Sequence, residues 1–164
     1  MTFDESRNHV LRSVEDIGKE FTKPDDDWLA TLLLHNADGL QIVPVHFQSV
    51  QEKDNFVKVV MGLFRHFKPH FASMVTSAWM RKVDAKGPMA DLAVQMAGRF
   101  GVGSDPHKEE IVMVTCADPT IHEVWTAPIL RTKDKPPRLG TWKNLDAEVT
   151  GRMGDLLARA FEAM

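Results

Sequence analysis

The sequence predicts an α+β domain, with helices packed on a largely antiparallel five-stranded sheet in the order α-ββ-α-β-α-ββ-α. Three observations carry that expectation. Residues 28–47 and 110–131 each show a strand–turn–strand pattern, around Asn36-Ala37-Asp38-Gly39 and Ala117-Asp118-Pro119-Thr120. Other stretches repeat apolar residues at three- and four-residue steps, the period of a helix with one buried face. The chain of 164 residues is 43% hydrophobic and 26% charged, which suits one ordinary globular domain and neither a disordered nor a fibrous chain.

Residues 2–21 read as the first helix. Thr2 and Glu5 have capping-box spacing, and Phe3, Val10, Val14, Ile17 and Phe21 make one narrow apolar stripe. So thin a stripe among charged neighbours places this helix at the edge of the domain. Lys23-Pro24-Asp25-Asp26-Asp27 then breaks it. Residues 28–35 (WLATLLLH) are apolar on both parities, as in a strand covered on both faces. Gly39 suits a left-handed position closing a hairpin with a bulge. Residues 40–47 (LQIVPVHF) form the return strand. Pro44 lacks the amide a central strand needs, so this strand belongs at an edge or carries a bulge at its middle.

Ser49 and Glu52 form a second capping box ahead of Phe56, Val57, Val60, Leu63, Phe64 and Phe67, a strongly amphipathic helix stopped before Pro69. Residues 71–82 alternate as a third strand. Pro88 suits the first position of a helix that continues through Met89, Leu92, Ala93, Met96, Ala97 and Phe100. Residues 110–116 and 121–131 are the strands of the second hairpin, with Pro119 at the second position of a type I turn. After a Pro- and Lys-rich loop, the last helix runs from Asn144, its N-cap, through Leu145, Val149, Met153, Leu156, Leu157, Ala160 and Phe161. The expected organisation is a single domain over 1–164, with an acidic N-terminal helix and linker over 1–27 and the sheet core and C-terminal helix over 28–164.

The net charge of −3 disfavours attraction of the whole protein to nucleic acid or an anionic membrane. Charge is unevenly placed: residues 1–27 carry a net −4 and everything after Asp27 sums to +1. No apolar run approaches the ~18–20 residues of a membrane span, and the acidic opening Met-Thr-Phe-Asp-Glu-Ser is unlike a signal or transit peptide. The single cysteine, Cys116, cannot form an internal disulfide. A reducing, cytoplasmic setting is therefore expected.

Candidate chemistry is sparse. His66 and His70 have the spacing of two ligands on one helix face, but Pro69 between them ends the helix, and no acidic residue follows His66. Asp25-Asp26-Asp27 lacks the glycine and distal glutamate of a calcium loop. Gly101-Val102-Gly103-Ser104 lacks the lysine or third glycine of a phosphate-binding loop. No metal and no cofactor is expected. On the second hairpin Asp118, His122 and Glu123 stand near Cys116. In a strand, His122 and Glu123 point to opposite faces, and Asp118 suits a turn. The best polar cluster is Arg131, Lys133, Lys135 and Arg138 with Trp142, a proline-stiffened basic loop over 131–143 that could hold a phosphate or a nucleic-acid backbone. Given the acidic overall balance, a solvated loop is favoured, and nucleic acid is not an expected partner.

Trp28, the Ala37-Asp38-Gly39 turn, Lys53-Asp54, Ser77-Ala78-Trp79-Met80 and Lys108-Glu109-Glu110-Ile111-Val112 form a pattern across residues 28–131. It resembles small uncharacterised α+β proteins of bacterial genomes and mobile elements. The resemblance implies the hairpin–helix–strand–hairpin order and carries no activity onto named residues. The favoured function is a non-enzymatic protein-interaction module or a subunit of a larger assembly. The alternative is a small hydrolase or nucleic-acid-processing enzyme with its site near the second hairpin or the loop 131–143. A homodimer is expected, with the Met-rich helix around Met96 as its contact, because the thin N-terminal helix and the short helix from Met89 to Phe100 are together too little to cover a whole sheet face.

Overall fold

A computed structural model describes residues 1–45, 50–80, 108–145 and 155–164. Among them are the helices α1 (Phe3–Lys19), α2 (Val50–Phe67) and α3 (Leu156–Ala163). The strands are β1 (Thr31–Asn36), β2 (Gly39–Pro44), β3 (Phe71–Met80), β4 (Glu109–Ala117), β5 (His122–Leu130), β6 (Arg138–Leu139) and β7 (Lys143–Asn144). All pairings are antiparallel, in the order β2-β1-β3-β4-β5-β6, with β7 also on β5. The α+β class and the antiparallel sheet agree with the sequence reading. The strand count does not: among the described residues there are seven rather than five. The extra two are short pieces of the Pro- and Lys-rich segment, which the open side of β5 captures by backbone pairing. The helix expected over 89–100 and the Ser49 end of the second capping box lie outside the described residues.

Each face of the sheet carries its own core. On one face α2 and α3 pack on Leu32, Leu34, Ala72, Met74 and Ala117, and the rings of Phe64 and Phe161 meet edge to face at 4.9 Å. On the other, Val10, Leu11 and Val14 of α1 pack over Phe71, Val75, Val112, Val114, Cys116 and Ile129. The capping box forms as expected: the Glu5 amide donates to Thr2 Oγ1 at 3.1 Å, and the Thr2 amide donates to Glu5 Oε2 at 3.3 Å. The edge position expected for this helix is wrong. It crosses the sheet from β3 to β6, because its polar flanks also find partners there. Arg7 reaches Glu123 at 2.7 Å, and Glu15 accepts from the Trp142 indole at 2.9 Å.

Several local expectations are corrected. The first strand begins at Thr31, not at Trp28. Trp28 turns back under α1: its indole donates to Val14 O at 2.9 Å, and its ring meets Phe21 edge to face at 4.7 Å. The unbroken apolar run at 28–35 thus mixes a helix contact with a strand. The first hairpin has no bulge. Its ladder is continuous from Thr31 opposite Pro44 to Asn36 opposite Gly39, closed by Ala37 and Asp38, with Gly39 at φ +131°. Pro44 is at an edge, as its missing amide requires. Asn144 is no helix cap. It lies in β7 opposite Trp125, and the next amide, Leu145, donates to Val124 O at 2.8 Å. No helix among the described residues is long and apolar enough to cross a membrane.

Candidate interaction surface

Two of the five residues singled out on the basic loop, Arg131 and Trp142, are tied to other parts of the fold. Arg131 is drawn into the fold: its guanidinium grips the Glu110 carboxylate at 2.6 and 2.8 Å, donates to Pro24 O at 3.2 Å and stands 3.8 Å from Asp27. The hydrogen bond from Arg131 to Glu110 raises the arginine pKa further. Trp142 is half-buried, its indole tied to Glu15 and its ring against the α1 core. Lys133, Lys135 and Arg138 are exposed, on the loop and on β6.

The polar residues of the second hairpin are also occupied by the fold. Asp118 Oδ1 accepts from the amides of Thr120 and Ile121 at 2.8 and 2.6 Å, which closes the turn. Glu123 pairs with Arg7 and accepts from the Trp125 indole at 3.1 Å, while the Arg7 guanidinium lies over the Trp125 ring at 5.0 Å. His122 is exposed. Cys116 faces Glu123 across the ladder, and burial pushes its thiol up to about 12, far from a nucleophile at neutral pH.

His66 and His70 are both exposed, on either side of the helix end. In the Asp25-Asp26-Asp27 run, Asp26 accepts from the Lys23 and Thr22 amides at 2.9 and 2.8 Å, which holds its carboxyl below the usual range. Asp27 accepts from its neighbour Trp28 and from the Ser77 hydroxyl. Among the described residues, no three His, Cys, Asp or Glu side chains are grouped to hold a metal ion.

One titratable group stands apart. His35 packs edge to face on Phe71 at 5.2 Å, with its Nε2 buried and unpartnered. Burial first, then the positive potential of His70 and His9, lowers its pKa from the ordinary 6.5. The unfolded chain therefore takes up this proton at a higher pH than the folded chain does. Its contribution is complete above about pH 6.5, and stability falls as the pH drops from there towards the folded pKa, by no more than about 1.4 kcal/mol per pH unit for one proton. Urea melts between pH 7.5 and 5 should show this decline, and His35→Phe should remove it. An unchanged pH profile in that variant would assign the decline to other groups.

The open surface lies at the β1–β2 end of the α1 face. Because α1 crosses from β3 to β6, no helix or strand among the described residues covers the face of β1 and β2 beyond it. There Val10, Val14, Trp28, Leu29 and Leu33 line an apolar groove of about 370 Å³, with Ser13, Asp27 and Thr31 as its polar lining. Large apolar side chains stand in solvent around it: Leu29 is 82% exposed, Ile42 63%, Ile17 50% and Leu40 47%. A grouping of this kind, unlike scattered exposed leucines, marks a contact surface.

The edge strand β2 lies next to the β1 wall of the groove, with Ile42 opposite Leu33 on the same face. The Val45 amide donates to Ala30 O at 2.9 Å, and the register then turns the backbones of Gly39, Gln41 and Val43 towards β1. The backbones of Leu40, Ile42 and Pro44 point outward. No strand among the described residues pairs with that edge. None of the six residues of β2 is charged, so the edge lacks the lysines that commonly discourage pairing. The sequence offers the basic loop as its candidate binding residues and an incompletely covered sheet face as a dimer contact, but assigns that contact to the helix around Met96 and does not single out the β1–β2 end. The available signal was the uncharged Leu40-Gln41-Ile42 alternation beside an edge-marking proline.

No family model, curated protein or solved structure matches this chain.

Proposed function

We propose that this chain is a non-enzymatic protein-interaction module that works as a homodimer, with the β1–β2 end of the α1 face as its contact surface. The observation that carries the reading is the grouping of Ile17, Leu29, Leu40 and Ile42 in solvent around one apolar groove. A second copy is the occupant, because the strand at this end bears no charge that would repel its own image and because a two-fold contact sets the exposed Leu40 and Ile42 against their own images. The polar groups of the second hairpin favour the same reading over a hydrolase. Asp118 and Glu123 already serve a turn and an ion pair, and the Cys116 thiol is too weak an acid for nucleophilic work.

Light scattering after size exclusion tests this over ~1 to ~100 μM, since a weak dimer dissociates on dilution. The expected result is a mass of two chains at the upper end that falls towards one on dilution. Ile42→Lys should give one chain throughout with little change in melting temperature, because the side chain it replaces is mostly in solvent. A single-chain mass for the unaltered protein over the whole range would overturn the reading.

A further inference from the structure

We infer that two copies join through their β2 edges, antiparallel, with Gln41 opposite the partner's Gln41 on a two-fold axis, so that two sheets become one continuous sheet. This inference rests on the homodimer reading above and specifies where the contact lies and in what register.

The register follows from the donors and acceptors of the edge. Leu40 and Ile42 each turn an amide and a carbonyl outward, whereas Pro44 turns out a carbonyl and no amide. With Gln41 on the axis, Leu40 faces the partner's Ile42 and exchanges both hydrogen bonds with it, and Ile42 does the same with the partner's Leu40. All the outward amides of the two strands are then used. Pro44 falls opposite the partner's Asp38, beyond the end of the ladder, where its missing amide costs nothing.

Shifting the axis to Ile42 puts each Pro44 ring inside the ladder against the partner's Leu40 carbonyl, which would be left without a donor. An unpaired polar group buried in such a contact costs about 1–3 kcal/mol. The side chains agree with the first register. Leu40 and Ile42 both stand on the α1 face, so each would cover the other across the axis and extend the apolar floor begun by Leu33, which lies opposite Ile42 within one chain.

Disulfide trapping reads the register. The native Cys116 is buried, so a single introduced cysteine has a quiet background. In the proposed register, position 41 meets its own image in a non-hydrogen-bonded pair, with Cα atoms about 4.5 Å apart and inside disulfide reach. Position 42 is two residues out of register with its image and beyond that reach. Oxidation of Gln41→Cys should therefore give a covalent dimer several-fold faster than Ile42→Cys, with Asp134→Cys as the background. In the unaltered protein, hydrogen exchange at the Leu40 and Ile42 amides should slow as concentration rises.

Faster trapping at position 42 would overturn the register. A light-scattering dimer with no trapping at either position, and with exchange at these amides independent of concentration, would place the contact elsewhere and sink this inference while leaving the homodimer standing. A chain that stays single at every concentration would remove both.

Discussion

Replacing Phe64 by alanine should cost about 3–5 kcal/mol of folding stability. Phe64 is fully buried on α2, and its ring is set edge to face against Phe161 of α3. The loss combines the transfer of a large apolar side chain with the cavity left between two helices that rest on Leu32, Leu34 and Met74. The aromatic pair adds about 0.5–1.5 kcal/mol beyond its buried area, so Phe64→Leu should lose less than alanine does. Urea denaturation followed by circular dichroism gives the number directly. A loss below about 1 kcal/mol would mean that α2 and α3 can close over the gap, and that this face is not held in the way described.

The second large effect is expected at Trp28, where alanine should cost a further ~3–5 kcal/mol. Trp28 is 2% exposed and links α1 to the start of β1 through its ring and its bond to Val14 O. It also explains a glycine: a Cβ on Gly18 would come within 2.7 Å of the Trp28 ring, so the helix gives up propensity there to let the indole approach. Trp28→Phe should cost less, because the ring contact with Phe21 survives while the indole hydrogen bond is lost.

Phe64 and Trp28 lie in the cores of opposite sheet faces. Their losses should therefore add to within about 0.5 kcal/mol in the double variant. Strong coupling, measured by the same urea melts, would contradict two separately packed layers. Trp28 is buried and lies outside β2, so its alanine variant should lower folding stability while the folded fraction still self-associates. Phe64→Ala should leave the association of the folded fraction unchanged.

Much of the polar chemistry that draws the eye in the sequence is spent on joining distant parts of the chain. Arg7 and Glu123 are 116 residues apart, Trp142 and Glu15 are 127 apart, and Arg131 reaches Glu110 across 21. These ties are partly exposed, and each is worth on the order of 1 kcal/mol or less. Their effect is to hold α1 and the segment after it over the sheet. Among the described residues, that placement leaves nothing packed over the β1–β2 end of the α1 face.

Local chemistry made much of the fold legible before any contact was known. The Thr2–Glu5 box acts within one turn of helix, the Asn36-Ala37-Asp38-Gly39 and Ala117-Asp118-Pro119-Thr120 turns act within four residues, and Pro44 marks an edge through its own missing amide. Apolar runs along β3, β4 and β5 report burial on both faces, a property that each strand carries wherever it is placed. Residues 138–139 and 143–144 have no such signature, because strands of two residues exist only where β5 offers its edge. Trp28 reads as part of a strand because its apolarity is real, but its neighbour is a helix fourteen residues earlier. The contact surface was the least legible feature. Leu40 and Ile42 look like ordinary strand residues until the path of α1, set by contacts with β3 and β6 far along the chain, decides which part of this sheet face the described helices cover.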